Sequence, residues 1–569
     1  MVRGFEIHKI RKCEELSSTL WNFQALAGTE KGKEYQVIVP SCWESYPGME
    51  AYRGKAMYSR VFEGEGNIRL EFKGVSHTAT ILVDGKTVGS HYNAYTAFEV
   101  ILHDLAAGTH TLEVIVDNSF GKESALHVPN DYQSYGGISR AVVMEKIDDV
   151  YVKWVHFTPV WKTKKQKDST DKAWFGKAEI CLCNVSNEDF EGSIEVKLED
   201  NRIVTLPVSL QKNDTKVIET EEILCSNVEM WCMQNPNLYY LTTILSNKEN
   251  VPVDDNIERV GFREIRMEGK DILLNGKKIF IKGLCRHEDH PQFGCALPLE
   301  AMQYDLMLAK DLGANSIRTV HYPNDELFLD LCDEQGILVW EENHARGLSE
   351  QDMRNPFFEE QCETCITEMI TAHYNHPSIY IWGILNECAS HTEYGEQCYK
   401  KQYDLIKSLD DSRPRSSASC QFKTDRCFGY PEVVSYNIYP QWYHDTPVKE
   451  YLEDLYDWVQ TDTEGKGKPF LITEIGAGAI YGYRHPSQVK WTEEYQAETL
   501  SKQIKAVAGQ DGCSGIYIWQ FCDGRVSDSW FHTRPRTMNN KGIVDEYRRR
   551  KLSYDVVKEI FSGIETYKK

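Results

Sequence analysis

The sequence predicts a multidomain protein in which two β-sandwiches in tandem precede a C-terminal (β/α)8 TIM barrel. Its 569 residues are enough for roughly three to five domains of about 100–200 residues each. Short alternating β runs fill the first half, and no long helical period interrupts them. From about residue 261, apolar β runs alternate with amphipathic helical stretches. We therefore expect domains at 1–147, 148–260 and 261–569.

The β runs of the first two domains have the alternating pattern of half-buried strands. Turn residues such as Asp84-Gly85 separate several of them. A run of lysine, aspartate and threonine at Lys162–Lys172 predicts an exposed loop. The clearest runs are Met57–Phe62, Asn67–Phe72, Thr78–Val83, Thr111–Val116, Ala178–Asn184, Gly192–Leu198 and Asn237–Leu245.

The third domain contains eight apolar β runs in succession, the number that a (β/α)8 barrel requires. A doubly wound open sheet is the alternative, but no glycine-rich phosphate loop follows any of these runs. The runs are Ile279–Leu284, Ala314–Thr319, Ile337–Glu341, Ile379–Glu387, Arg415–Ser419, Val433–Tyr439, Phe470–Glu474 and Gly515–Phe521. Helical patterns lie at Leu299–Leu312, Asn324–Glu334, Glu359–Tyr374 and Tyr394–Leu409.

The net charge and the cysteine pattern indicate which partners and which compartment to expect. With 64 Lys+Arg against 86 Asp+Glu, the formal charge of −22 argues against nucleic acid or an anionic membrane surface. The sequence has no signal-peptide pattern and no apolar window of about 18 residues. The 17 cysteines are scattered without zinc-site spacing, as expected for buried thiols in a reducing compartment. We expect a cytoplasmic protein that requires neither a metal nor a cofactor.

Two carboxylates end apolar β runs, Glu387 the fourth and Glu474 the seventh. Catalytic groups of such barrels lie at the C-terminal ends of the strands, and strands four and seven face each other across the mouth. Retaining glycoside hydrolysis needs two carboxylates in this relation, because one protonates the leaving oxygen while the other, about 5–5.5 Å away, attacks the anomeric carbon. Either glutamate alone could be a surface residue of a loop, but the pair favours catalysis.

The residue before Glu387 is also suited to this chemistry. The amide of Asn386 could hydrogen-bond the sugar hydroxyl next to the reacting carbon, a contact that strengthens in the transition state. A bond to loop backbone is the alternative. Trp382, Tyr439 and Trp519 are candidate aromatic neighbours of the pocket.

Together these motifs resemble glycoside hydrolase family 2 along essentially the whole chain. The resemblance implies a jelly-roll sugar-binding domain, an immunoglobulin-like sandwich and a catalytic barrel, with Glu387 as acid/base and Glu474 as nucleophile. It also implies homo-oligomers. The motifs are Asn386-Glu387, Thr473-Glu474, Arg318-Thr-Val-His321-Tyr322-Pro323, Gly261-Phe-Arg263, Val83-Asp-Gly-Lys-Thr-Val-Gly-Ser-His91 and Tyr95-Thr-Ala-Phe98.

Within the family, Asn539-Asn540-Lys541-Gly542 is similar to the motif that binds the substrate carboxylate in β-glucuronidases. The cation of Lys541 and the amide of Asn539 could neutralise and orient a buried uronate. By the same resemblance Tyr439 touches the nucleophile, and Tyr443 lies at the carboxylate end of the pocket.

Two further segments match the pocket of the family. Asp131 lies in a loop that is similar to the one whose aspartate reaches the sugar 4-hydroxyl. Arg286-His287-Glu288-Asp289-His290 looks like a metal-binding cluster but matches the family's pocket wall, so we expect His287 to contact substrate.

Arg346 departs from the pattern of familiar glucuronidases, which carry an apolar residue at this position. Galacturonate differs from glucuronate in its axial 4-hydroxyl, and a guanidinium near the pocket could bond that group. A salt bridge to a loop carboxylate is the equally weighted alternative.

The sequence thus predicts a retaining exo-β-D-uronidase for terminal β-glucuronides, or also or instead for β-galacturonides. A neutral-sugar β-galactosidase of the same family is the alternative, favoured if Lys541 points to solvent. A non-catalytic carbohydrate-binding protein is a third, which the presence of both carboxylates disfavours.

Overall fold

The N-terminal region is a β-rich domain built on one eight-stranded antiparallel sheet. The structure, a computed structural model, describes residues 2–163, 172–199 and 201–568. The two longest strands of this sheet pair along most of their length, with an irregular register between Gly64 and Ile68. Alternate side chains close over a separate hydrophobic core. The strands are Lys12–Glu15, Leu20–Ala25, Glu34–Ile38, Lys55–Phe72, Thr78–Val83, Lys86–Tyr92, Phe98–Asp117 and Val142–Lys146.

Two four-stranded antiparallel sheets follow and enclose a second core. Val155 and Ile180 from one sheet pack with Ile194 and Leu241 from the other, which makes this region a β-sandwich. The loop expected at Lys162–Lys172 falls almost entirely on 164–171, outside the described residues, and stays a prediction. The strands are Val150–Thr163, Lys172–Asn184, Thr215–Glu219 and Ile223–Cys225 in one sheet, and Phe190–Leu198, Asn201–Leu210, Tyr239–Asn247 and Pro252–Val260 in the other.

The C-terminal region is a nearly closed parallel barrel. The first strand pairs with both the second and the eighth, and the two pieces of the fifth strand pair with the fourth and the sixth. Its strands are buried along their whole length, because helices cover the outer face and side chains fill the interior. We number them β1 Ile281–Arg286, β2 Ser316–Thr319, β3 Leu338–Glu342, β4 Ile379–Gly383, β5 in two pieces at Arg415–Ser416 and Ala418–Ser419, β6 Val434–Asn437, β7 Phe470–Ile475 and β8 Cys513–Ile518. The eight predicted runs are therefore confirmed as barrel strands.

Helices surround the barrel, and several of them begin at a capping side chain or end at a glycine. For example, the Asp325 side chain accepts a hydrogen bond from the Leu327 amide at a helix start, and Gly336 ends that helix with φ of 69°. The helices are α1 Leu299–Leu312, α2 Glu326–Gln335, α3 Glu350–Met353, α4 Phe358–His373, α5 Glu393–Leu409, α6 Val448–Asp462, α7 Glu493–Gly509 and α8 Leu552–Ser562. No helix of the described residues is long and apolar enough to cross a membrane.

Short sheets and turns complete the chain. Strands Gly524–Arg525 and Met538–Asn539 pair after β8 and enclose two short 3-10 turns, Asp528–Thr533 and Pro535–Thr537. A three-stranded sheet, Ile265–Glu268, Asp271–Leu274 and Lys277–Ile279, precedes β1, and Val75–Ser76 pairs with Gly137–Ile138. All 17 cysteines lie among the described residues and are free thiols, most of them buried.

The N-terminal domain reaches over the mouth of the barrel. Ser527, after β8, accepts the Asn130 amide with its hydroxyl oxygen and donates its own amide to the Asn130 carbonyl. Arg140 of the same domain pairs with Glu288 at the end of β1 at 2.9 Å. The segment around residue 131 is thereby held against the barrel ends.

Candidate active site

The two glutamates singled out in the sequence lie at the C-terminal ends of opposite barrel strands. Glu474 is in β7 and almost fully buried. Glu387 follows β4, which ends at Gly383, so the prediction that the strand extends to Glu387 was wrong. Ile384 and Leu385 are buried in the loop as deeply as strand residues, and an apolar run therefore cannot show where a strand ends. Glu387 has a positive φ of 53°, an uncommon backbone conformation that turns it towards the site.

Arg318, fully buried on β2, connects the groups at the bottom of the pocket. Its guanidinium donates to Oε1 of Glu474 at 3.0 Å and to Oδ1 of Asn386 at 2.9 Å. It also donates to both carboxylate oxygens of Glu342, at 3.0 and 3.1 Å. One planar donor thus fixes the nucleophile candidate and its neighbouring amide in a single geometry.

Hydrogen bonds from Arg318 and Tyr439 favour the charged form of Glu474, while burial and a neighbouring carboxylate disfavour it. Burial first, and then the charge of Glu387, raise the pKa of Glu474 to about 8, although Arg318 acts in the opposite direction. The Tyr439 hydroxyl also donates to Oε2 of Glu474, at 2.5 Å. The raised pKa of Glu474 therefore means that burial and the neighbouring carboxylate outweigh the two hydrogen-bond donors.

Glu387 is held by a different set of neighbours. Asn437 at the end of β6 donates its amide to Oε1 of Glu387 at 3.0 Å and to Oδ1 of Asn386 at 3.2 Å. The Thr473 hydroxyl donates to Oδ1 of Asn437 and so orients that amide. Nη2 of Arg346 lies 3.6 Å from Oε2 of Glu387.

The side-chain amide nitrogen of Asn386 is available to a ligand. Its oxygen accepts from Arg318 and Asn437, but its buried Nδ2 has no hydrogen-bond partner among the described residues. Buried amide donors are rarely left unpaired in folded proteins. The predicted contact to a sugar hydroxyl fits this arrangement, and the alternative of a bond to loop backbone finds no support from Nδ2.

Histidine and aromatic rings form one wall of the pocket. His287 stacks on Tyr132 at 4.9 Å between centroids, and His321 stacks on Trp519 at 5.0 Å. Burial lowers the pKa of both histidines well below its ordinary value, so both rings are neutral. Nε2 of each has no hydrogen-bond partner in the described part of the chain. The wall can therefore offer neutral donors or acceptors to a sugar.

The charged residues Arg286, Glu288 and Asp289 of the histidine-rich motif have partners either within the barrel or in the N-terminal domain. Arg286 pairs with Asp305 at 3.0 Å, and Glu288 pairs with Arg140. Asp289 accepts from the Tyr135 hydroxyl at 3.1 Å. These partners account for the clustered charges of the motif.

Asp131, the sequence neighbour of Tyr132, is buried among cations. Its carboxylate is 3.4 Å from Nη1 of Arg346 and 3.2 Å from Nη2 of Arg534, and Asn539 donates to it at 3.3 Å. Burial works against ionisation, but the charges of Arg346, Lys541 and Arg534 hold the pKa of Asp131 well below its usual range. Arg346 is thus both a salt-bridge partner and a pocket residue.

Lys541 is buried beside three aromatic rings, with a side chain that does not point to solvent. The residue is 3% exposed, and Nζ lies 5.8, 5.7 and 5.2 Å from the ring centroids of Tyr439, Trp442 and Tyr443. Tyr443 itself is 60% exposed at the rim. Among the described residues, no carboxylate oxygen lies within 4.0 Å of this amine. A buried cation in this setting is suited to an anionic ligand.

A cavity of about 580 Å³ lies away from this site, between the sandwiches and the barrel. Its charges pair with one another: Arg69 with Glu145, Arg3 with Glu326, and Lys73 with both Glu71 and Glu326. The pairs of Arg3 and Lys73 with Glu326 connect the N-terminal region to the barrel.

Sequence reasoning missed two residues of the site, Trp530 and Arg534. The Trp530 ring centroid is 5.0 Å from Cζ of Arg534 and 5.9 Å from Cζ of Arg346. Trp530 lies in the first of the two 3-10 turns after β8 and Arg534 lies between the turns, where no periodicity marks either residue. The one available signal was their position just before the Asn539–Gly542 motif.

Comparisons with known proteins agree with this geometry. The family model described as "Glycosyl hydrolases family 2, TIM barrel domain" matches residues 265–566, and "Glycosyl hydrolases family 2" matches 150–263. The chain belongs to glycoside hydrolase family 2. It is therefore a glycoside hydrolase, and the fold and family predicted from sequence are confirmed.

Several relatives resemble the whole chain. The crystal structure of a family 2 β-galacturonidase from Eisenbergiella tayi bound to galacturonate is 66% identical, covers 100% of both chains and superposes with a TM-score of 0.97. A β-glucuronidase of Bacteroides fragilis is 27% identical over 92% of this chain and 78% of its own length. A β-galactosidase of Thermoanaerobacterium thermosulfurigenes is 26% identical over 91% and 68%.

Proposed function

We propose that this glycoside hydrolase is a retaining exo-β-D-uronidase that acts on terminal β-galacturonides, and on β-glucuronides more slowly. The buried Lys541 amine, which has no carboxylate partner within 4.0 Å among the described residues, is the observation that carries the uronide assignment. The 66% identity to a β-galacturonidase supports the choice of sugar.

The reaction proceeds through a covalent intermediate. Glu474 attacks the anomeric carbon while Glu387 gives its proton to the glycosidic oxygen, so the aglycone leaves as an alcohol. A water then loses a proton to Glu387 and attacks the same carbon, which frees Glu474 and returns both residues to their starting states. Arg318 and Tyr439 support these roles because both donate to Glu474 and favour its charged form.

Asn386 contributes to the transition state. Its unpaired Nδ2 can donate to the sugar 2-hydroxyl, a contact that strengthens as charge develops on the ring. Arg318 and Asn437 hold the amide oxygen, so Nδ2 must face the pocket. His287 and Trp519 form the sugar-binding wall beside it.

Lys541 and Asn539 bind the carboxylate of the uronic acid. The Lys541 amine, framed by Tyr439, Trp442 and Tyr443, supplies the charge that a buried carboxylate requires. Asn539 donates its amide to Asp131, which positions Asn539 between the carboxylate end and the O4 end of the sugar. A neutral galactoside would leave Lys541 without a counter-charge, which disfavours the β-galactosidase alternative.

Arg346 carries the preference for galacturonide. Its guanidinium lies between Asp131 and Glu387, 3.4 and 3.6 Å from their oxygens, on the side of the pocket assigned to the sugar 4-hydroxyl. An axial hydroxyl at that position can donate to Asp131 and accept from Arg346. An equatorial hydroxyl lies in a different direction and loses one of these bonds.

The organisation of the whole protein is also part of the proposal. We divide the chain at 147/148 and 260/261, which the three sheet systems support. We further propose a cytoplasmic homo-oligomer that needs no cofactor, since the two carboxylates supply the acid, base and nucleophile.

The test is a comparison of initial rates on p-nitrophenyl β-D-galacturonide, β-D-glucuronide and β-D-galactoside at equal concentrations. We expect the order galacturonide, glucuronide, galactoside. Faster hydrolysis of the galactoside than of either uronide would replace the proposal with the β-galactosidase alternative. A strong glucuronide preference would retain the uronidase and remove the role of Arg346.

A further inference from the structure

Asp131 lies between two guanidinium groups, one on each carboxylate oxygen. Arg346 approaches Oδ1 at 3.4 Å and Arg534 approaches Oδ2 at 3.2 Å. The two arginines come from distant parts of the barrel, the loop after β3 and the segment after β8. Asp131 thus draws two guanidinium groups to one end of the pocket, and Arg346 also reaches Oε2 of Glu387 at 3.6 Å.

Trp530 holds the two guanidiniums in place. Its ring centroid is 5.9 Å from Cζ of Arg346 and 5.0 Å from Cζ of Arg534, distances at which cation–π attraction operates. The segment that carries Trp530 is fixed at its start, where Ser527 donates its hydroxyl to the Tyr132 carbonyl at 3.0 Å. The Arg534 side chain is therefore fixed in position by its neighbours and is only 11% exposed.

Both arginines keep donors that are unused by the protein. Nε of Arg346 and Nε of Arg534 are buried and have no hydrogen-bond partner among the described residues, and Oδ1 of Asp131 also lacks one. Unpaired buried polar atoms are uncommon and cost stability. Because these three unpaired atoms surround one carboxylate, we expect a ligand oxygen there that forms the missing hydrogen bonds.

A sugar hydroxyl has the matching bonding capacity. A hydroxyl offers one donor and two acceptor lone pairs. Asp131 can accept a hydrogen bond from this hydroxyl, and the two guanidiniums can each donate a hydrogen bond to one of its lone pairs. A carboxylate oxygen would instead repel Asp131, which separates this position from the carboxylate site at Lys541.

We propose that Arg534 is a specificity-determining residue that donates to O4 of the sugar together with Arg346, so that the pair selects the axial hydroxyl of a galacturonide. This inference rests on the uronidase proposed above. Inversion at C4 moves the oxygen away from the three partners and leaves buried donors unpaired, which is how a site rejects a close analogue.

The test is the selectivity of Arg534→Met, which keeps an unbranched apolar side chain and removes the hydrogen-bond donors. We expect kcat/KM for p-nitrophenyl β-D-galacturonide to fall by about 30-fold and that for the glucuronide by less than about 5-fold, given the usual strength of a charged hydrogen bond. Arg536→Met is the matched control, because Arg536 is partly exposed and pairs with Glu546 instead of Asp131. The control should keep both rates.

Each other outcome has a distinct meaning. Equal losses on both uronides, or no loss at all, would overturn the role of Arg534 at O4 while the uronidase stands. A wild-type enzyme that hydrolyses neither uronide would overturn the proposed function itself. If Arg534→Met does not fold, Arg534→Lys decides, since its point charge lacks the planar fork: an unchanged ratio of the two rates contradicts the inference, and a reduced ratio supports it.

Discussion

The two sides of the pocket are built in different ways. The side that we propose reacts, with Glu387, Glu474 and Arg318, lies on barrel strands or in the loop after β4 and is connected by hydrogen bonds of 2.9–3.2 Å. The selecting side, with Asp131 and Arg534, comes from loops of two domains, with ion pairs of 3.2–3.6 Å.

This difference follows from what each side must do. Bond cleavage needs two carboxylates at a set separation, and side chains on the barrel strands, such as Arg318 and Asn437, hold the two glutamates in place. Choice among sugars needs groups that can be exchanged without disturbing those strands, and loops permit this. Mutations on the two sides should therefore have separable effects: loss of all turnover on one, loss of discrimination on the other.

The largest effect is expected from Glu474→Ala. Without the nucleophile, turnover of every substrate should fall on the order of 10⁵-fold. Added azide should restore product formation as the α-glycosyl azide, because it attacks the face that Glu474 has vacated. In Glu387→Ala, azide should give the β-glycosyl azide. Product anomers measured by NMR check both assignments, and the opposite pair of anomers would exchange the two roles.

The next effect concerns the carboxylate end of the pocket. Lys541→Met should lower kcat/KM for both uronides by about 100-fold, since a buried charged hydrogen bond is lost. The p-nitrophenyl β-D-galactoside is the internal control, because it has no carboxylate to lose and should change by less than about 5-fold. Equal losses on charged and neutral substrates would show that Lys541 supports the fold and not the uronate.

Arg346→Met should have a smaller and more selective effect. We expect about 50-fold lower kcat/KM on galacturonide and a much smaller loss on glucuronide. Combined with Arg534→Met, the losses should not add, because both side chains contact Asp131. Rates of the two single variants and the double variant give the coupling, and strictly additive losses would mean that the arginines act independently.

The smallest expected effect concerns the pH dependence of folding stability, which can be measured apart from catalysis. A folded pKa of about 8 for Glu474, above its ordinary 4.5, means that the native protein keeps a proton that the unfolded chain loses. Stability from this residue therefore falls as pH rises from about 5 to 8. Glu474→Gln does not ionise, so it should be more stable than the wild type by a few kcal/mol at pH 8 (about 1–4) and nearly equal at pH 5. Thermal midpoints at both pH values measure this, and a difference independent of pH would contradict it.

Most of the fold could be predicted because periodicity is a local property. The eight apolar runs, spaced by helical stretches, predicted each barrel strand, and Leu299–Leu312 matches its helix at both ends. The end of β4 was wrong because burial continues through Leu385 without strand pairing.

The site was predictable to the extent that its residues follow strands or carry motifs. Glu387, Glu474 and Asn386 were predicted from the ends of apolar runs, whereas the prediction of Lys541 and Asp131 needed the family resemblance. Trp530 and Arg534 were missed because they lie in and between two 3-10 turns that have neither periodicity nor motif.

By itself, the sequence determined the succession of strands and helices, and with it the two carboxylates at opposite strand ends, because hydrophobic periodicity acts over a few residues. Only the tertiary structure decided which charges meet. Arg346 and Arg534 are 188 positions apart in sequence, yet both pair with Asp131 of another domain. Such pairings arise from the packing of separate domains, and no local pattern records them.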